Sequence, residues 1–419
     1  MPDTAEQPAA TEQDRTLDDI TQGMKTPQFH QNPSQLYERL RRNHPVYRSP
    51  QGAWYLTRYT DVNAALHDPR LSNDRERRLH WVTRSAGMDR AARVRMRLRG
   101  STLSADPPEH TRLRRLINKA FAARRLEALR PRIEALVAEL LDAAEATGPR
   151  FDLMAALAYP LPLTVICELL GVPVADRGHI RKWTRALEHL ETSSVPTAQA
   201  LDDIEQVADE FEDYFRHLIR ARQAQPGDDL LTALVTATEH GDQLSEDELV
   251  STCILLLATG YETIVHLIGN GTFALLRNPD ELRRLHDNPA LTRSAVEELL
   301  RYASPVQMTL RIATERVELG GQTITEGDGV WAILGAANHD PDQFPHPDRV
   351  NLTRPTPRHL SFGSGPHFCL GAKLARLEGQ IAIGMLVRRL PRLRLDTDVI
   401  DWRSKNPNLH GLASLPVTY

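Results

Sequence analysis

The sequence predicts a mainly α-helical chain with small β-sheets, and three observations carry that prediction. Between about Pro108 and Arg301 helical apolar periodicity runs with few breaks, at Gly148-Pro149, Gly171, Pro196, Pro226-Gly227, Gly241, Pro279 and Pro289. Strand-like alternation is confined to Ala53–Tyr59 and to the stretch from Arg311 to Leu334. No internal repeat or long low-complexity linker divides the 419 residues. Residues 16–419 therefore read as one domain behind a polar tail at 1–15.

Each element has a local cause. AWYLTRY at Ala53–Tyr59 mixes aromatic and β-branched residues with polar ones, as a half-buried strand does. Ser245 opens the longest helix, because S-E-D-E supplies a capping box with Glu248 at the third helical position. The apolar pattern then continues to Arg277, where Pro279 stops it. At about 1.5 Å per residue such a helix is on the order of 45 Å long, enough to cross the domain. VELGGQTIT, from Val317, predicts a tight hairpin around Gly320-Gly321. A Pro-, His- and Asp-rich meander follows Leu334, then a glycine-rich loop, then a helix with Leu370, Leu374, Leu377 and Ile381 on one face.

Composition excludes several classes. With 41% hydrophobic and 25% charged residues the chain can bury a large core and is neither disordered nor collagen-like. A net charge of −4 with dispersed arginines demands no nucleic-acid partner. The best apolar run, Ile254–Ala258, falls far short of the roughly 18 residues of a membrane span. The first residues lack a basic patch followed by an apolar stretch, so a cytoplasmic protein without signal or anchor is expected. Cys167, Cys253 and Cys369 are too scattered for a disulfide framework or a zinc cluster. The first two lie in apolar helical contexts and read as small core residues; Cys369 sits in a Gly/Pro-rich loop that opens a helix.

That loop, FGSGPHFCLG at Phe362–Gly371, suits a metal-bound thiolate. Gly363, Gly365 and Gly371 allow tight turns, Pro366 stiffens the loop, the following helix N-terminus favours an anionic sulfur, and Phe362 shields it. A lone Gly-x-x-x-Cys match is ordinarily a buried cysteine after a glycine turn; the ten-residue pattern is far more specific. The segment resembles the haem-binding signature of cytochrome P-450 enzymes, with Phe362, Gly365, Cys369 and Gly371 at the family's spacing. The resemblance spans nearly the whole chain, in motif order, and points to a soluble bacterial, actinomycete-like class. It implies a cytochrome P-450 fold with haem b (iron protoporphyrin IX) between the long central helix and the loop, and Cys369 as the iron ligand.

Further positions acquire roles from the same resemblance. Glu298-x-x-Arg301 taken alone is an ordinary helical ion pair; the family's pattern joins it to a meander arginine, matched here by Arg349, to brace the proximal side. Val350 stands where the family more often has Phe. In ATGYETIVH, Thr263 can bond back to the carbonyl of Thr259, bending the helix near Gly260. A solvated Glu262 and routine threonine back-bonding are the plain alternative. The resemblance makes Glu262 and Thr263 the acid–alcohol pair that delivers protons, and puts Thr259 where Ala or Gly is usual and Ile264 where a second Thr is frequent. His110 and Arg114, on one helical face, with Arg311 and His367, match the cations that meet the haem carboxylates.

Substrate contacts are expected at Leu255, Ala258, Thr259, Val306, Met308, Thr309, His410 and Leu412. The arginine-dense stretch Arg75, Arg77, Arg78, Arg84, Arg90, Arg93, Arg95, Arg97 and Arg99 reads first as a solvated face; the family has a substrate-covering segment there, which admits an anionic or carrier-protein-bound substrate. Lys119, Arg124 and Arg125 suit an acidic electron donor. No nicotinamide or flavin fingerprint follows a strand, so electrons from NAD(P)H are expected through a ferredoxin reductase and a ferredoxin. The implied activity is a monooxygenase inserting one atom of O2 into a medium or large secondary metabolite of polyketide or peptide type, as in antibiotic biosynthesis, by a monomer. Alternatives are epoxidation, ring coupling, ligand binding without turnover, or a colourless cysteine hydrolase.

Overall fold

The apolar run after Ser245 becomes the axis of the molecule. In the computed structural model, which describes residues 23, 26–50, 52–86, 90, 93, 104–192, 197–239, 241–355, 358–402 and 408–419, Glu246–Leu276 is one helix of 31 residues. The tail 1–15 and Arg95, Arg97 and Arg99 lie outside the described residues. Ser245 Oγ accepts from the Glu248 N–H, and the Glu248 carboxylate accepts from the Ser245 N–H, so both halves of the capping box form. This helix is long and apolar enough to cross a membrane, but 78% of its apolar window is buried inside the protein. Thr292–Tyr302, whose buried residues join two smaller clusters, packs against it, and so do Pro160–Leu169, Ala198–Ala224 and Ala372–Arg389, whose apolar faces merge into the largest core cluster. Cys167 and Cys253 are buried in that cluster, where loss of hydration pushes both thiols up, Cys167 to about 12.

The main sheet has five short strands: β1 (Val46–Arg48), β2 (Trp54–Leu56), β3 (Leu71–Ser72), β4 (Thr309–Ala313) and β5 (Gly329–Ala332), in the order β1-β2-β5-β4-β3. β5 runs parallel to β2, with Val330 opposite Trp54, and antiparallel to β4, with Val330 opposite Arg311. Strand structure in the early segment stops at Leu56, because Tyr59 starts a helix whose first N–H donates to Asp340 at 2.8 Å. The hairpin pairs Val317–Leu319 with Gln322–Ile324 across Gly320 and Gly321, at φ +55° and +77°. Two successive positive φ values are what a two-residue turn between twisted strands needs, and glycine adopts them without a Cβ clash.

The Glu298–Arg301 pair is fully buried, with Nε to Oε2 at 2.9 Å, and it corrects one expectation. The third member is Arg354, whose Nε lies 3.0 Å from Glu298 Oε2; Arg349 contributes only its carbonyl, which accepts from Arg301 at 3.2 Å and from Arg354 at 3.3 Å. The reason is backbone direction. The meander turns its carbonyls inward at Pro345, His346 and Arg349, and all three accept from the Arg354 guanidinium. Val350 is buried in the cluster beside Leu352 and Leu299, so the position keeps its packing role with a smaller side chain.

Candidate active site

The loop before Ala372–Arg389 is built to present a sulfur. Gly363 and Gly365 have φ of +67° and +69°, and a Cβ on Gly365 would lie 2.5 Å from the Leu66 carbonyl oxygen. Gly371 has a different use from the turn expected of it. Its φ is −81°, it lines the cavity, and a Cβ there would meet nothing within 4 Å, so its missing side chain keeps the space beside the sulfur open. The Cys369 N–H donates to the Phe362 carbonyl at 2.9 Å, closing the loop. Burial raises the Cys369 thiol, while the N–H groups of Gly371 and Ala372, with Arg114 and Arg376, pull the other way. Such a sulfur becomes a stable anion once a cation sits on it. Phe362 is covered by the Arg376 guanidinium, 4.5 Å from its ring centre, and Arg376 is held by Glu297 at 2.6 Å.

A nest of arginines and histidines lines one side of the same cavity. The His110 and His367 rings lie 4.1 Å apart; Arg311, on β4, is buried and donates to neutral oxygens of Asn73, Thr309 and Leu310. Arg114 donates to the Phe368 carbonyl. Burial lowers Arg311 to about 10 and, with neighbouring positive charge, lowers His110 and takes His367 to about 3. The His110 Nε2 is buried with no hydrogen-bond partner among the described residues. Concentrated positive charge with an unsatisfied ring nitrogen is what a doubly carboxylated ligand would satisfy, so these residues fit the haem that the sequence implies. Arg78 also belongs here. Expected on a solvated face, it is buried, lines the cavity and donates to Asn73 Oδ1 and the Leu310 carbonyl. The pairing of the preceding strand β3 with β4 brings it in, which no local pattern signals. Farther along, Arg90 is bound to Asp202 and Glu205.

The opposite wall is the central helix. Leu255, Ala258, Thr259, Glu262 and Thr263 line the cavity, whose volume is about 430 Å³. Thr263 Oγ1 donates to the Thr259 carbonyl at 2.8 Å, as its position predicts, and Thr259 Oγ1 donates to the Leu255 carbonyl at 2.7 Å. The Thr259 hydroxyl is thus turned onto its own helix. Val306, Met308 and Thr309 complete this part of the wall with Trp331 of β5, which the sequence reading did not single out.

The C-terminal turn meets the cavity through different residues from those expected. Asn408 and Leu409 line it; His410 and Leu412 do not. His410 stacks on Trp402 with ring centres 4.4 Å apart, its carbonyl accepts from Asn270 at 2.8 Å, and Leu412 is fully buried in the main core. Gly411 sits so close to His266 of the central helix that a Cβ would lie 1.9 Å from His266 Nδ1. From His410 onward the turn therefore docks on His266 and Asn270, which do not line the cavity. An aliphatic residue next to a glycine carries no sign in sequence of which face it will present.

The family model described as Cytochrome P450 matches residues 20–416, so this chain belongs to the cytochrome P450 family of haem-thiolate monooxygenases. Cytochrome P450 107B1 of Saccharopolyspora erythraea is 46% identical over 93% of this chain and 95% of its own. The 6-deoxyerythronolide B hydroxylase of the same organism is 41% identical, covering 94% of this chain and 98% of its own. Among solved structures, P450BioI in complex with an acyl carrier protein ligated to hexadec-9Z-enoic acid superposes with a TM-score of 0.84 at 37% identity, covering 94% of this chain and 99% of that one.

Proposed function

We propose that this chain holds haem b on Cys369 and oxidises a medium or large secondary metabolite of polyketide or peptide type, as a cytoplasmic monomer supplied with electrons by a ferredoxin and its reductase. The observation that carries the reading is the placement of a buried, N–H-bonded sulfur across one cavity from Glu262 and Thr263, with cations on a third side. The haem, when bound, supplies the activation of O2, favoured by electron donation from the thiolate.

The chain's own groups do the rest. Arg311, Arg114, His110 and His367, with Arg78, neutralise two carboxylates and fix their orientation. The Gly371 and Ala372 N–H groups stabilise negative charge on the Cys369 sulfur, and Phe362 keeps water from it. Thr263 and Glu262 hold and pass protons at the cavity wall. Thr259 presents bulk rather than a free hydroxyl, so it acts on substrate position. Leu255, Ala258, Val306, Met308, Thr309 and Leu409 form a mostly apolar wall suited to a macrocyclic or long-chain substrate. Lys119, Arg124 and Arg125 provide basic charge for an acidic electron donor.

Two of the relatives support the substrate class: one is named for 6-deoxyerythronolide B, and another was captured with a carrier-bound acyl chain. The test is spectral titration of the holoenzyme with 6-deoxyerythronolide B, related macrolactones, and acyl chains both free and carrier-bound. The expected result is a shift of the haem absorbance toward high spin on ligand binding, followed by substrate-dependent NADPH consumption with ferredoxin and reductase. A purified protein without haem absorbance overturns the reading, and haem without any ligand response from these classes overturns the substrate assignment.

A further inference from the structure

One turn beyond Glu262 the central helix carries a buried group that the proposed mechanism does not use. His266 is 1% exposed and shares a helical face with Glu262; its Nε2 lies 3.6 Å from Glu262 Oε1. Glu262 lines the cavity, whereas His266 sits behind it. The imidazole is fixed from the far side by the Gly411 backbone, where a Cβ would come within 1.9 Å of Nδ1 and 2.2 Å of Cε1. The turn bearing Gly411 is pinned to the same helix by Asn270, which donates to the His410 carbonyl at 2.8 Å. His266 Nδ1 is buried and has no hydrogen-bond partner among the described residues. An ionised carboxylate can only accept, so the ring nitrogen facing it is the one that carries a proton.

We propose that His266 is a positioning residue for proton delivery: its Nε2–H donates to Glu262, and the close approach of Gly411 fixes the ring so that the carboxylate is held between the cavity and the C-terminal turn. The inference rests on Glu262 and Thr263 being the proton-delivery pair. It also gives the C-terminal turn a role other than the substrate contact expected of it. That turn supports the back of the distal helix at its one glycine, and through the imidazole it sets the position of the acid. Without the donor the carboxylate loses one of the groups that place it, protons arrive out of register, and O2 takes up two electrons and two protons and leaves as hydrogen peroxide.

The test uses holoenzyme with NADPH, ferredoxin and reductase, and reads hydrogen peroxide released per NADPH and the solvent isotope effect on NADPH consumption. His266→Phe is expected to raise the peroxide ratio and to slow the proton-dependent step about tenfold, the size usual for loss of an outer hydrogen-bond partner. His266→Gln, whose amide nitrogen reaches the same point, restores both. Gly411→Ala removes no polar group but displaces the ring, and is expected to behave like His266→Phe. Glu262→Gln and Thr263→Ala serve as controls. If they alter both readouts while His266→Phe and Gly411→Ala match the wild type, the role of His266 is refuted and the acid–alcohol pair stands. If all four match the wild type, the pair itself fails. A second measurement does not depend on turnover or on either variant folding: the ¹⁵N shifts of His266 in holoenzyme should show the Nε2-protonated tautomer and move in Glu262→Gln. An Nδ1-protonated ring, or shifts unchanged by Glu262→Gln, overturns the proposal.

Discussion

Glu297→Gln is the perturbation whose size the structure determines most directly. Glu297 neighbours Glu298 in sequence but faces the opposite way, toward the cysteine loop. Its carboxylate takes Arg376 at 2.6 and 2.9 Å and His359 at 3.3 Å, and Arg376 lies over the Phe362 ring. Burial pushes the carboxyl up, but the hydrogen bonds from His359 and Arg376 and the Arg376 charge outweigh it, leaving Glu297 at about 2 against an ordinary 4.5. At about 1.36 kcal/mol per pH unit that difference amounts to on the order of 3 kcal/mol. A carboxyl depressed in the folded state stabilises above its unfolded value, and the contribution disappears as pH falls from about 4.5 toward about 2. Glu297→Gln should therefore lose on the order of 3 kcal/mol at neutral pH and progressively less below pH 4.5. The assay is urea unfolding of both holoenzymes between about pH 7 and pH 3. A gap that does not shrink across that range, or one under about 0.5 kcal/mol at pH 7, as for an ordinary surface position, refutes the reasoning.

Five other variants have defined outcomes. Arg354→Met takes one of two guanidinium partners from the fully buried Glu298 and should cost about 3 kcal/mol with loss of haem on warming, whereas Arg349→Met, which keeps its carbonyl, should melt close to the wild type; paired thermal scans at the haem band compare them. Gly365→Ala places a Cβ against the Leu66 carbonyl at a positive φ, so a loss of roughly 1–3 kcal/mol and poorer haem retention are expected in the ratio of haem to protein absorbance. Leu409→Ala should weaken ligand-induced spectral shifts with little change in melting. Leu412→Ala should lower stability by about 2–5 kcal/mol and leave those shifts alone, because Leu412 is core and Leu409 is cavity wall.

Sequence alone determined what depends on a few adjacent residues. The capping box at Ser245 and Glu248, the glycine hairpin, the thiol-presenting loop and the Thr263 back-bond all follow from backbone chemistry within one short stretch of chain, and each forms as read. Periodicity likewise supplied the helical class, since an apolar stripe forces a helix to pack whatever its partner is. Tertiary structure decided which of two similar groups arrives at a site. Arg349 and Arg354 are both basic and five residues apart, and only the inward carbonyls of the meander select Arg354 to meet Glu298, 56 residues away in the chain. Arg78 reads as surface charge until β3 and β4 pair beside it. Leu409 faces the cavity while His410 to Leu412 dock behind the helix, because Gly411 alone lets the backbone approach His266. Local pattern sets the elements; the long-range approach of backbones sets which side chains face the chemistry.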